Sequence, residues 1–172
     1  ALVYIMNNKY PIENAINDMW LEFQDDQDQI PSHFPLSVIL HILQGSSKIS
    51  ISTKFLTNKV FPKLCNLIHE SLDYVGITIN PESIPIRSIK SEVLESQIHM
   101  NASKALLSIR QSFSIITCII NRFFESIPPY TVKEIGDVIL DFLVESCNYS
   151  SVYYAHLTFQ ALCTRCFMVE SC

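Results

Sequence analysis

Glycine is nearly absent: Gly45, Gly76 and Gly136 are the only three in 172 residues. Phosphate-cradling loops need clustered glycines, because the backbone must approach the phosphate closely. None cluster here, which argues against a dinucleotide fold or a P-loop. Tight β-hairpins also lean on glycine, so its scarcity favours helices over sheets. Charge is sparse as well, at 17% of residues against about 25% in an ordinary globular domain. The formal balance is −5 with no basic stripe, so direct binding of DNA or RNA is not expected. No uninterrupted apolar run reaches about eighteen residues, so neither a transmembrane helix nor a membrane role is expected.

The opening Ala1-Leu2-Val3-Tyr4-Ile5 is too short for a signal peptide. Met6 is a candidate start, which would make residues 1–5 a tag, a fusion remnant or part of another chain and 6–172 one all-helical domain. A chain of this length can bury a substantial core. Hydrophobic residues make up 48% of it. Few charges on a small domain leave apolar surface that needs cover. A partner protein, or a second copy forming a homodimer, is one way to cover it.

Helical periodicity dominates what is present. Ile12, Ala15, Ile16, Met19, Trp20 and Phe23 fall on one helical face behind Pro11, which suits a first helical position. An acidic loop, 25–29, follows. A second helix spans about Ser32 to Gln44, closed by Gly45. Residues 46–52 alternate like a strand but have no second strand to pair with, and read as a loop. A third helix covers about Thr53 to Val75, with Gly76 ending it. Pro62 inside it predicts a kink or a division into two helices. Residues 77–90, with Pro81 and Pro85, read as an extended connector.

The fourth segment, Ser91 to Ile127, is long, and Asn101 is a candidate break. It is apolar almost all round from Ile115 to Ile120, which predicts burial on most sides. Pro128-Pro129 stops it. Thr131 and Glu134 match a capping box, in which hydroxyl and carboxylate each satisfy an orphan N–H. A fifth helix then runs to about Cys147 and a sixth from near Ser150 or Ser151 to the end. The expected fold is all-α: a compact bundle of about six or more helices with one long buried central helix.

Six cysteines are present, and Cys65, Cys118 and Cys147 lie on apolar helical faces, where small hydrophobes sit. This fits a reducing compartment, nuclear or cytoplasmic, rather than a secreted disulfide scaffold. Cys163 and Cys166 form a CxxC, and Cys65 and His69 lie one helical turn apart. Each pair can present two ligands to a tetrahedral zinc ion. The plainer reading of both pairs is small buried thiols with a boundary histidine. No cofactor is expected unless these four residues bind zinc.

No nucleophile-elbow pattern occurs, and Cys163 and His156 stand about two turns apart on one helix, so no catalytic centre is expected. Asp137 and Asp141 read as a solvated helix edge rather than an acid–base pair. Aromatic side chains cluster near both ends of the chain, and such groups anchor interfaces as readily as they fill cores. Trp20, Phe23, Phe34, Tyr153 and Tyr154 are the candidate partner-binding residues. His33, beside Pro31-Ser32, joins them as a group that a partner-supplied site would use. The function these readings imply is a non-catalytic scaffold or adaptor that takes short peptide segments of other proteins in grooves between helices.

The amphipathic Pro11 to Phe23 helix, the apolar Ser91 to Ile127 segment and the scattered thiol and imidazole groups resemble the helical docking domains of telomere scaffolds. These are the TRF-homology type and the fungal shelterin bridge subunit. The resemblance implies a nuclear bridge binding peptides from two telomere proteins, with zinc shared at one contact. Two alternatives stand beside it. Residues Asp141 to Cys163 look like a helix pair from a HEAT- or armadillo-like scaffold, although no regular period supports the repeat. A buried central helix in a chain of this size also fits a Bcl-2-like bundle, without that family's glycine-containing signature.

Overall fold

A computed structural model describes residues 11–22, 34–45, 51–79, 91–145 and 149–170, with side chains for 11–20, 35–45, 51–72, 100, 102–144 and 151–168. The expectations for residues 1–5, the acidic loop 25–29, the loop residues 46–50 and connector residues 80–90 lie outside this range.

Among the described residues six helices of eleven or more residues make up the bundle: α1 Ile12–Glu22, α2 Phe34–Gly45, α3 Phe61–Ile79, α4 Ser91–Phe123, α5 Pro129–Glu145 and α6 Tyr149–Glu170. No strand occurs among the described residues. The expected all-α bundle is therefore the observed one. Its central helix is α4, 33 residues long, or about 50 Å by helical rise. Helices α2, α3 and α6 all pack on α4, α5 packs on α6 and α3, and α1 packs on α2. Ile109, Phe113, Ile115, Ile116, Ile119 and Ile120 of α4 are almost wholly buried, because neighbours cover more than one side of the helix. Phe113 meets Phe142 of α5 edge to face, with ring centroids 4.9 Å apart, a favoured aromatic geometry.

Several boundaries differ from expectation. Pro11 precedes α1 rather than opening it, and its carbonyl accepts from the N–H groups of Asn14 and Ala15 at 3.0 and 3.1 Å. The segment around Pro62 is divided, as its proline predicts, but by a change of helical register. A turn of α-helix, Thr53–Phe55, passes into a π-helical turn, Leu56–Val60, and this runs directly into α3. Phe55, Leu56 and Phe61 all keep right-handed helical dihedrals. The Phe61 N–H donates to the carbonyl of Leu56, and Pro62 falls in the first turn of the new register, where a missing N–H costs little. Gly76 and Asn101 both lie inside helices. Helix α4 ends at Phe123, whose φ of −130° and ψ of 23° leave the helical region, and a 3-10 turn, Phe124–Ser126, precedes the prolines.

The capping box at Thr131 does not form. Helix α5 begins two residues earlier, with Pro129 at the first position, and the Pro128 carbonyl accepts from the N–H groups of Thr131 and Val132 at 3.0 and 3.1 Å. Thr131 is carried inward and its hydroxyl is buried without a hydrogen-bond partner among the described residues. Proline at the first position supplies the helical φ without a cap.

Polar side chains fix how the helices meet. Arg122 near the end of α4 donates to the carbonyl of Leu43 in the last turn of α2. Arg165 of α6 donates to the carbonyl of Asn121 in the last turn of α4 at 2.5 Å. Both carbonyls belong to helix ends that lack an intrahelical donor, and each cation sits at the negative pole of a helix dipole. Between α4 and α6 the hydroxyls of Thr117 and Thr158 lie 2.8 Å apart. Gln111 of α4 donates to the Ser37 hydroxyl of α2 at 2.5 Å.

Candidate functional site

The N-terminal anchors divide. Trp20 is 3% exposed and belongs to the core, because the apolar face of α1 is the face that packs on α2. Its ring lies under the ammonium of Lys63, 5.1 Å from the centroid, an arrangement that attracts the cation to the π face. Partial burial first, and the charge of Lys59 second, push the Lys63 ammonium down from its ordinary value. In this structure Trp20 is not accessible to a partner, which corrects its reading as a docking anchor. Phe34 opens α2, but its side chain, like Phe23 and His33 altogether, lies outside the described residues.

The metal candidates stay apart. Cys65 is half-buried on α3 and His69 is exposed one turn later, while Cys163 and Cys166 are half-buried on α6. Helices α3 and α6 are each held against α4 and α5. Among the described residues no three His, Cys, Asp or Glu side chains converge as a metal site requires. Burial, and then the negative charge of Glu134 on α5, push the Cys65 thiol up to about 11. A thiol must lose its proton to ligate zinc, so this environment opposes that role. Cys118 is also raised, by burial, with Arg122 acting in the opposite direction.

The C-terminal hairpin of α5 and α6 is different. Tyr153 is 59% exposed and stands edge to face with the half-buried Tyr154, the ring centroids 5.6 Å apart. Tyr154 packs against the core and so props the outer ring. Tyr130, Leu140 and Val144 on α5 and Phe167 and Met168 on α6 are also exposed, Val144 most of all at 86%. The opposite arcs of the same helices are buried: Ile135, Ile139 and Phe142 on α5, Ala155, Thr158 and Leu162 on α6. At Gly136 the two helices pass one another at ordinary contact distance, since a Cβ there would meet only the Leu162 Cδ2, at 3.9 Å.

Sequence reasoning found Tyr153 and Tyr154 on this hairpin but missed Leu140, Val144, Phe167 and Met168. The signal existed for α5. Val132, Ile135, Val138, Ile139, Phe142 and Leu143 already complete one apolar arc, and Leu140 and Val144 fall off its phase, among Glu134, Asp137 and Asp141. Among the described residues no helix is long and apolar enough to cross a membrane. No known protein family, curated protein or solved structure matches this chain.

Proposed function

We propose that this chain is a non-catalytic protein-interaction module, and that the outer side of the α5–α6 hairpin receives a segment of a partner protein. The observation that carries this reading is the exposure of Tyr130, Leu140, Val144, Tyr153, Phe167 and Met168 on two consecutive helices. Isolated exposed apolar residues are ordinary, whereas a concentration on one structural unit is the usual mark of a contact surface. Tyr153 supplies a propped aromatic ring of the kind that anchors interfaces. The resemblance to telomere docking domains gives this reading a concrete form, a bridge that binds short peptides from two subunits of a telomere complex.

The test is a selection of helical peptides from a display library on the purified chain, repeated on a Leu140→Ser/Val144→Ser/Tyr153→Ser variant. Peptides enriched on the wild type should lose binding to the variant while both proteins melt alike. Enrichment of the same peptides on both would refute the surface assignment.

A second reading, a fragment of a HEAT- or armadillo-like scaffold, is favoured by the pairing of α5 with α6 as consecutive helices. It requires such pairs to recur along the chain. The single long α4 does not resemble a repeat unit.

A further inference from the structure

The outer face of α5 carries two rows that run together. Tyr130, Glu134, Asp137 and Asp141 occupy offsets 0, 4, 7 and 11 along the helix, and all are exposed. Leu140 and Val144, one turn apart, flank that row and are 50% and 86% exposed. Lys133 is the one base among the exposed residues of this face. Neither Asp137 nor Asp141 has an ion-pair partner among the described residues, so the row is a set of unneutralised carboxylates beside an apolar ridge. From Tyr130 to Val144 the face is about 21 Å long by helical rise, which matches a partner helix of about four turns.

We infer that this face takes a basic amphipathic helix of another protein, its apolar side chains on Leu140 and Val144 and its lysines or arginines against Glu134, Asp137 and Asp141. The inference rests on the docking function proposed above and names the chemistry of the partner. Charge complementarity selects the occupant. A second copy of the chain docking through the same face about a two-fold axis near Asp137 would set Asp137 against its own copy and pair only Asp141 with Lys133, bringing together two faces that each carry three carboxylates and one lysine, a net like-charge arrangement that repulsion opposes. An acidic helix meets the same repulsion. A basic helix places attractive charge along the row while its apolar ridge covers Leu140 and Val144. Lys133 stands on the apolar side of the face, and an acidic residue at the matching edge of the partner would fix orientation.

The test uses fluorescein-labelled amphipathic helical peptides, one built of Leu and Lys and one of Leu and Glu, titrated by anisotropy against the whole chain. The Leu/Lys peptide should bind and the Leu/Glu peptide should not. Raising salt from about 50 mM to about 500 mM should weaken binding several-fold, since the screening length shortens across that range. Asp137→Asn/Asp141→Asn should weaken binding and flatten the salt response. Leu140→Ser/Val144→Ser should weaken it by roughly tenfold per residue. All four side chains are exposed, so the urea midpoint of each variant should match the wild type.

Equal binding of both peptides would overturn the charge inference, as would binding of the Leu/Lys peptide that neither variant alters. If display-selected peptides bind the hairpin and prove acidic or uncharged, the charge inference falls and the docking function stands. A salt-independent dimer dissociated by Leu140→Ser/Val144→Ser would also overturn it, assigning the face to a second copy. If no peptide of any kind binds, both readings fall.

Discussion

Replacing Trp20 by alanine separates a core residue from a docking residue. Trp20 is 3% exposed and packs with Ile16, Leu36, Ile39 and Leu43 in one core cluster. Truncating a buried aromatic to alanine removes its transfer free energy and leaves a cavity, together about 3–5 kcal/mol. Loss of the Lys63 contact adds about 0.5–1 kcal/mol if that cation–π pair behaves as partly exposed ones do. With a urea slope near 2 kcal/mol/M, about what small domains show, the midpoint should fall by roughly 2 M. Circular dichroism reads the transition, since the variant lacks the only tryptophan. In the wild type that tryptophan gives an independent check: acrylamide should quench it weakly in the native state and strongly after unfolding. A Trp20→Ala protein with an unchanged midpoint, or native Trp20 freely quenched, would show that the ring is not in the core.

The remaining expectations concern helix ends, an orphan hydroxyl and a buried thiol. Arg122→Met and Arg165→Met should each destabilise by about 0.3–1 kcal/mol, the range for a surface cation at a helix C-terminus, as read by urea unfolding. Thr131→Val should be neutral or stabilising, because the buried hydroxyl it removes has no partner among the described residues. A functioning cap would instead cost about 0.5–2 kcal/mol, and a loss of that size would restore the capping box. Cys65 releases its proton near 9.0 when unfolded and at about 11 when folded. Between those values the unfolded chain is deprotonated first, so stability falls as pH rises through the window and the full contribution is present below it. Cys65→Ala should lose less stability than the wild type between pH 9.0 and about 11, and parallel pH–stability curves would contradict the assignment.

The fold was readable from the periodicity of the chain because burial and helical phase agree almost everywhere. Ile12 to Trp20, Val132 to Leu143 and the Ile115 to Ile120 stretch each placed their apolar side chains where packing put them. The failures came where local chemistry offered equivalent solutions. Pro62 could kink a helix or start a new register, and the π turn at Leu56–Val60 resolves that only through Phe61 and Leu56 backbone geometry. Thr131 looked like a cap because its spacing to Glu134 is right, but Pro128 and Pro129 start the helix first. Gly76 sits within α3 because a single glycine weakens a helix by about 1 kcal/mol without ending it.

The candidate surface was less legible for a different reason. An exposed aromatic and a buried one carry the same symbol in a sequence, and only partners elsewhere in the chain decide between them. Trp20 is covered by α1 packing on α2 and by Lys63. Tyr153 is not covered, because α6 has its neighbours α4 and α5 on its other arc. Leu140 and Val144 are the exception: their phase against the acidic row carried an outward signal that the reading of the sequence passed over.

The central claim, that the α5–α6 hairpin is a docking surface, is tested most directly by one affinity comparison. A peptide selected on the wild-type chain would be titrated against Leu140→Ser/Val144→Ser and against Asn66→Ala, an exposed change on α3. The account predicts a loss of roughly a hundredfold for the first variant, none for the second, and equal urea midpoints. Unchanged affinity in the first variant, or equal losses in both, would contradict it.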